Sequence, residues 1–177
     1  PEHSVVLLNS PEHAAGWSLF SDSRLGLAVA RGSGSAVSEL GSIAQQSGVP
    51  VSLHGTGGAW MVVGEDANLD RLKSCVLHSL DRKVCNTLNV VTVMRDMAPI
   101  HVPIIMRAAE EAASARGTRP RIHAVHGADQ FLPMGVDVLV HRPEGEMSEP
   151  QVTVSSLESF GTEYDWEENP EFAIVLV

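Results

Sequence analysis

Short apolar runs alternate with segments of helical periodicity along most of this chain. One unit has an apolar run at residues 25–30, a segment at residues 36–46 with apolar residues at helical spacing, and a second run at residues 51–53. Gly48 and Pro50 stop the helix before the second run begins. A helix joined by short loops to a strand on either side predicts that the two strands are parallel. We therefore predict an α/β fold, in which a mostly parallel sheet lies in a three-layer arrangement flanked by helices.

The same alternation continues to the end of the chain. One helix is predicted to start at Asn68, a good N-cap residue, and another to cover residues 100–116, with Gly117 as its stop. The stretch 143–169 interrupts the alternation, because it is rich in Glu and Ser and predicts loops with one short strand. The remaining strands are predicted at residues 5–8, 59–63, 89–94, 121–125, 136–140, 151–154 and 172–177.

The composition favours one folded domain and argues against several classes of function. The chain has 177 residues, of which 44% are hydrophobic, enough to build a core in a single domain over residues 1–177. Its formal net charge of -10 repels a phosphate backbone, so nucleic acid is not expected as a partner. No apolar run is long enough to span a membrane. Two cysteines and no secretory signal predict a reducing, cytoplasmic setting.

Cys85 is the candidate nucleophile of the chain. It lies just past a predicted helix and follows Arg82 and Lys83. Positive charge and backbone N–H groups stabilise a thiolate, which is the reactive form of cysteine. The alternative is a small buried residue in a loop, since free cysteine is often part of a core. Cys75 falls beside the apolar face of its helix, and we predict that it packs in the core.

Two glycine-rich turns follow predicted strands. The first, at Arg31-Gly32, opens a helix whose free N–H groups could bind an anion. The second includes Gly55 and Gly57, which would let a ligand approach the backbone closely. An ordinary capped turn is the favoured interpretation of the first, and a plain loop explains the second equally well. The eight histidines show no metal-ligand spacing, so no metal site is predicted. The glutamates near the C-terminus are more typical of a solvated surface than of a paired acid and base.

Five segments, read in order, resemble those of a known family. They are residues 30–34 (ARGSG), 49–51 (VPV), 54–57 (HGTG), 63–69 (VGEDANL) and 84–87 (VCNT). Their order and spacing resemble the aldehyde dehydrogenase superfamily, and within it most closely the gamma-glutamyl phosphate reductase branch, also called glutamate-5-semialdehyde dehydrogenase. The resemblance extends from Gly26 to the C-terminus, where Asp165-Trp166 and the last strand fit a similar late pattern.

Several positions depart from the pattern of that family. Ala59-Trp60 stand where the family has Cys-His, Gly64 stands where it has Asp, and Ser33 where it has Gly. The loop before Cys85 is also shorter than in the family.

The resemblance implies an NADPH-dependent reduction of gamma-glutamyl phosphate, a step of proline biosynthesis. The Cys85 thiolate would attack the acyl phosphate and expel phosphate, and the thioester would then accept a hydride from NADPH and release glutamate-5-semialdehyde. Among the late glutamates, Glu167 competes for the contact with the nicotinamide ribose. The implied site residues are Cys85 and Asn86 as catalytic residues, Arg31, Gly32 and Arg82 at the substrate, and Gly55, Gly57, Glu163 and Glu168 at the cofactor.

The resemblance also implies a truncated catalytic domain, with the nucleotide-binding N-terminal part and a C-terminal segment lying outside this chain. The expected partner is a small acyl phosphate or aldehyde, and the full-length protein is expected to form a homo-oligomer. Two other functions stay open. One is an aldehyde dehydrogenase that oxidises a free aldehyde, although the loop after Leu53 offers His54 and no general-base Glu. The other is a degenerate domain that serves binding or assembly.

Overall fold

A computed structural model describes residues 5–55, 57–142, 144–159 and 161–177. The chain divides into two compact units, one ending before Gly57 and the other starting there. Each unit has its own sheet and its own apolar cluster. Among the described residues, no helix is long and apolar enough to cross a bilayer, and no group of three or more His, Cys, Asp or Glu side chains could hold a metal ion.

The first unit contains the predicted strand–helix–strand arrangement. Its elements are α1 (His13–Phe20), β1 (Ala28–Arg31), α2 (Gly34–Gln46) and β2 (Val51–His54). Strands β1 and β2 pair in parallel, as predicted. The Ser33 hydroxyl caps α2 by accepting a hydrogen bond from the Ala36 N–H at 3.4 Å.

One expectation for the first unit is wrong, and one of its helices was not predicted. Residues 5–8 form no strand, and Val5 is 93% exposed. An apolar run forms a stable strand only when it pairs with a neighbouring strand, and these residues do not. Helix α1 was not predicted, and it buries none of its residues. Without a buried face, α1 lacks the apolar periodicity by which sequence identifies a helix.

The second unit is built on a parallel sheet of five strands. Its order is β3-β4-β9-β5-β8, and each neighbouring pair is parallel. The elements are β3 (Ala59–Val63), α3 (Leu69–Ser79), β4 (Leu88–Val93), α4 (Ala98–Ser114), β5 (Arg121–Val125), β6 (Asp137–Arg142), β7 (Gly145–Pro150), β8 (Val152–Ser155) and β9 (Glu171–Leu176). This arrangement confirms the predicted α/β class with a mostly parallel sheet.

Helices α3 and α4 cover one face of this sheet. Val76 of α3 and Ile105 of α4 share a buried cluster with Val91, Phe172 and Ile174 of the strands. The opposite face carries a smaller buried cluster of valines and an alanine, against which Tyr164 packs. The central strand β9 is buried along its whole length, and it therefore reads as a continuous apolar run in the sequence.

Strand β7 was not predicted, because the stretch 143–169 was interpreted as loops apart from residues 151–154. It pairs with β6 in an antiparallel hairpin. Its residues are Gly, Glu, Met, Ser, Glu and Pro, most of which are poor strand formers, and all are exposed except the half-buried Glu149. Pairing with β6 and an ion pair from Arg142 to Glu149 (2.9 Å) override that weak propensity.

A buried network of charges joins β5, β9 and the β6–β7 hairpin. Both oxygens of Glu171 accept hydrogen bonds, from Arg121 (2.6 Å) and His123 (2.7 Å) on one side and from Arg142 (3.2 Å) on the other. Burial raises the pKa of Glu171, but the His123 hydrogen bond and the nearby positive charges outweigh burial and leave this pKa below its usual value. The hydrogen bond from Arg142 likewise lowers the pKa of Glu149.

Replacing Glu171 with Gln is expected to destabilise the second unit strongly. The change removes one of the two counter-charges of buried Arg121 and leaves only Glu149, at 3.0 Å, and breaking a buried pair costs up to about 3–5 kcal/mol. A carboxyl whose pKa is lowered by folding contributes its stability above its unfolded pKa and loses it as the pH falls through the folded value. The difference between wild type and Glu171→Gln should therefore be largest at pH 7 and shrink below the usual value of 4.5. Urea unfolding at several pH values measures it.

The matched control is Glu111→Gln, which breaks an ion pair with Lys73 of similar length (2.7 Å) whose two side chains are 43% and 52% exposed. An exposed pair of this kind contributes about 0–1 kcal/mol. Equal losses for the two variants would contradict a structural role of the buried network.

Candidate active site

The loops before β3 and β4 meet at one edge of the sheet, where the parallel strands begin. The Ala59 N–H donates to the Thr87 carbonyl at 2.8 Å, and Ala59 is in register with Leu88. This pairing brings Gly57 and Gly58, just before β3, next to the loop that carries Cys85. The amino edge of the sheet is therefore where the predicted catalytic residues lie.

The loop with Cys85 is a tight turn built around the buried side chain of Thr87. The Thr87 hydroxyl accepts from the Val84 N–H (2.7 Å) and donates to the Arg82 carbonyl (2.8 Å). The Thr87 N–H donates to the Val84 carbonyl at 2.9 Å, which closes a β-turn. Cys85 and Asn86 occupy the two central positions of that turn, and both are exposed.

Cys85 is therefore a surface residue, and the alternative that it is a buried core thiol is wrong. The expectation for Cys75 is wrong as well, because Cys75 is exposed on α3. Its neighbour Val76 takes the buried position, so Cys75 lies on the outer side of the helix. Consecutive residues of a helix point about 100° apart, so Cys75 is exposed although Val76 next to it is buried.

A polar cavity of about 170 Å³ lies beside the Cys85 turn. Arg82 and Asn86, two predicted site residues, line it together with the end of α3. The full set of lining residues is His78, Ser79, Asp81, Arg82, Val84, Asn86 and Thr87.

Glu163 joins the two loops at this edge. Its carboxylate accepts a hydrogen bond from the Gly57 N–H at 2.6 Å and forms an ion pair with Lys83 at 2.5 Å. The side chains of Lys83 and Glu163 are each only 16% exposed. Of the predicted cofactor residues, Gly57 and Glu163 are thus in direct contact. Glu168 instead contacts His141 at 3.2 Å, and Glu167 is exposed.

Three predicted site residues belong to the first unit. Arg31 is in register with His54, and the Gly32 N–H donates to the His54 carbonyl at 3.3 Å. Gly55 packs against the start of α2, since an added Cβ would lie 3.4 Å from the Gly34 Cα. These three residues lie together where β1 and β2 end and α2 begins.

Sequence analysis did not identify Asn89 as part of this site. Asn89 is 2% exposed, and its side-chain amide donates to the Thr162 carbonyl (3.0 Å) and accepts from the Tyr164 N–H (2.8 Å). The sequence does contain one signal, a polar residue in the apolar run of β4. Buried polar groups are almost always hydrogen-bonded, so such a residue indicates a binding partner elsewhere in the chain.

Comparison with known proteins gives no match to a family model or to a curated protein at the level of sequence. Solved structures do match, and their fold is that of the aldehyde dehydrogenase superfamily. The chain shares this fold. Gamma-glutamyl phosphate reductase from Thermotoga maritima matches 100% of this chain and 36% of its own, with a TM-score of 0.70 and 18% identity.

Two further structures support the same fold. Lactaldehyde dehydrogenase from Escherichia coli matches 92% of this chain and 38% of its own, with a TM-score of 0.59 and 14% identity. An aldehyde dehydrogenase from Mycobacterium tuberculosis, complexed with NAD+, matches 90% and 38%, with a TM-score of 0.55 and 15% identity. This chain thus spans little more than a third of the proteins that it resembles. The resemblance seen in the sequence is confirmed at the level of the fold.

Replacing Gly58 with Ala tests the packing at the centre of this site. Gly58 has φ +55°, and an added Cβ would lie 2.3 Å from the Asn89 Cβ. Left-handed strain of about 1–2 kcal/mol and overpacking of about 1–3 kcal/mol should both lower the free energy of unfolding. Gly117→Ala is the control, because Gly117 has φ +72° with open space around its Cα, so only the strain applies. Urea unfolding measures both variants, and equal costs would exclude a tight contact between Gly58 and Asn89.

Proposed function

We propose that this chain is a catalytic-type domain of an NADPH-dependent reductase that converts gamma-glutamyl phosphate into glutamate-5-semialdehyde and phosphate. The observation that carries the proposal is Cys85 at the exposed tip of a fixed turn, followed by Asn86, within a fold shared with gamma-glutamyl phosphate reductase. The rest of the enzyme, including its nucleotide-binding part, lies outside this chain. What supports this part of the proposal is that the chain covers only 36% and 38% of two of the similar structures.

The chemistry assigned to the chain is acyl transfer. The Cys85 thiolate attacks the acyl carbon of gamma-glutamyl phosphate, and the C–O bond to the leaving phosphate breaks. The Asn86 side chain and the backbone N–H groups of Cys85 and Asn86 are the donors assigned to the oxyanion. Arg82, which lines the adjacent cavity, supplies a cation for the phosphoryl group. Arg31, Gly32 and Gly55 stay predictions for the binding of substrate and cofactor.

A nicotinamide cofactor fits the described residues only in part. Each carboxylate oxygen of Glu163 already accepts one hydrogen bond, from the Gly57 N–H or from Lys83, so only its remaining lone pairs are available to a ribose. Glu168 is 50% exposed and is the more open of the two predicted carboxylates. When bound, NADPH supplies the hydride that reduces the thioester. We derive no geometry for that step.

A second candidate is an aldehyde dehydrogenase that oxidises a free aldehyde, since lactaldehyde dehydrogenase has the same fold. That reaction requires a general base to activate water in deacylation. The loop after Leu53 offers His54 and no Glu for that role, and Glu163, the carboxylate that contacts the Cys85 loop, already accepts hydrogen bonds from Lys83 and the Gly57 N–H. Phosphate as the acyl acceptor needs no such base, so the phosphate-dependent reaction is favoured.

Alkylation of the two cysteines tests the nucleophile. Cys75 and Cys85 are both exposed, so a difference in rate reports their electrostatic surroundings and not their accessibility. Iodoacetamide at pH 6 to 7, followed by peptide mass spectrometry, should label Cys85 several-fold faster than Cys75. The variants Cys85→Ser and Cys75→Ser assign each rate to its thiol. Equal rates would count against a catalytic Cys85.

Turnover of glutamate-5-semialdehyde in the reverse direction tests the reaction. The full-length protein should reduce NADP in a manner that depends on phosphate, and Cys85→Ala should lower kcat by at least about 10³-fold, since no thioester can form. Cys75→Ala is the matched control and should be unaffected. Turnover without phosphate would favour the aldehyde dehydrogenase. No turnover, with the biological role intact in Cys85→Ala, would identify a binding or assembly domain.

A further inference from the structure

Glu163 lies in a segment without helix or strand, at residues 161–168, yet its carboxylate makes two short contacts. A side chain in an irregular segment holds such contacts only if its backbone is fixed. The residues on either side of Glu163, Thr162 and Tyr164, are fixed by one side chain, that of Asn89.

Asn89 lies in β4, a strand that is buried along nearly its whole length, and this position allows its side chain to hold the segment. It is 2% exposed, so its amide group lies away from solvent. The amide uses one donor on Thr162 and one acceptor on Tyr164, and these two hydrogen bonds bracket Glu163. Gly58 makes room for it, because any Cβ at that position would collide with Asn89.

A second contact restrains the same segment. The Tyr164 ring stacks on the His123 ring at 4.1 Å, with an angle of 4° between the planes. His123 is itself held by Glu171 and by the Thr153 hydroxyl, at 2.7 Å and 2.9 Å. Tyr164 is therefore fixed through both its backbone and its side chain.

We propose that Asn89 is the positioning residue of the candidate active site. Its amide fixes the backbone on both sides of Glu163, Glu163 holds Lys83, and Lys83 lies two residues before Cys85 in the same loop. The position of Lys83 at the start of the Cys85 loop, whose turn is closed by Thr87, thus depends on a residue that touches neither substrate nor cofactor. Only the catalytic consequence, a fall in kcat with little change in KM, rests on the proposed function.

The reactivity of the two lysines of the chain measures whether Lys83 is held by Glu163. Lys83 is 16% exposed and paired with Glu163, whereas Lys73 is 43% exposed and paired with Glu111. Acetylation followed by mass spectrometry should therefore modify Lys83 more slowly than Lys73 in the wild type. Asn89→Leu, which keeps the branching of the side chain at a somewhat larger volume and removes both hydrogen bonds, should raise the Lys83 rate several-fold and leave Lys73 unchanged.

Glu163→Gln is the reference for a released Lys83, because it removes the anion without touching β4. General destabilisation by Asn89→Leu would accelerate labelling at Lys73 and Cys75 as well, and that outcome overturns the proposal. An unchanged Lys83 rate in Asn89→Leu, together with a raised rate in Glu163→Gln, overturns it too.

Asn89→Asp adds a pH-dependent readout that a purely structural role would not produce. An ionised carboxylate cannot donate to the Thr162 carbonyl, whereas a protonated carboxyl has the same shape as the amide and can. Burial raises the pKa of an introduced carboxyl, so protonation occurs within reach of neutral pH. Hydrogen-exchange protection of the Gly57 amide, normalised to its intrinsic rate, should be lost at pH 7.5 and regained towards pH 5.5 in this variant only.

Protection at Gly57 that is the same in wild type and Asn89→Asp at both pH values overturns the proposal, and it does so even if Asn89→Leu fails to fold. The labelling and exchange measurements need no turnover. Failure of the proposed reductase reaction would therefore leave the positioning result intact, and failure of the positioning result would leave the reaction intact.

Discussion

Parallel pairing of β3, β4 and β9 is the constraint on which the candidate site depends. Because parallel strands all begin at the same edge, the segments that precede them are brought together there. One segment supplies Gly57, one supplies Lys83 and Cys85, and one supplies Glu163. The sheet thus assembles residues that lie up to 106 positions apart, and local propensity accounts for none of that proximity.

Periodicity was sufficient to predict most of the elements that build the sheet. β1, β2 and β3 and the long helix α4 lie close to their predicted ranges, and β9 was recognised as an apolar run. The failures occur where an element is stabilised by something other than a buried apolar face. Helix α1 buries no residue, and β7 depends on its pairing with β6 and on charges from distant strands.

The candidate site was predicted only as separate residues. Cys85 was identified from its charged neighbours and from the resemblance, and Glu163 from the resemblance alone. Their link through Lys83 is a contact across 80 residues that no local pattern encodes. Cys75 was placed in the core because it lies beside the apolar face of α3, but the buried position is that of Val76. Asn89 was not identified, because the role of a polar residue in a strand can be inferred only when the segment to which it hydrogen-bonds is known. The single-domain interpretation, the roles of the site residues and the identity of the cofactor stay predictions.

The end of α3 has an electrostatic consequence for any anion beside Cys85. The helix ends at Ser79, and this end lines the same polar cavity as Arg82 and Asn86. The carbonyl end of a helix carries a partial negative charge of about half an electron, whereas nucleotide-binding folds direct the positive, amino end of a helix at phosphate. Asp81 adds a further negative charge at the cavity. An anion in this cavity is attracted by Arg82 and opposed by the helix dipole and by Asp81, so this arrangement favours departure of the anion over its retention.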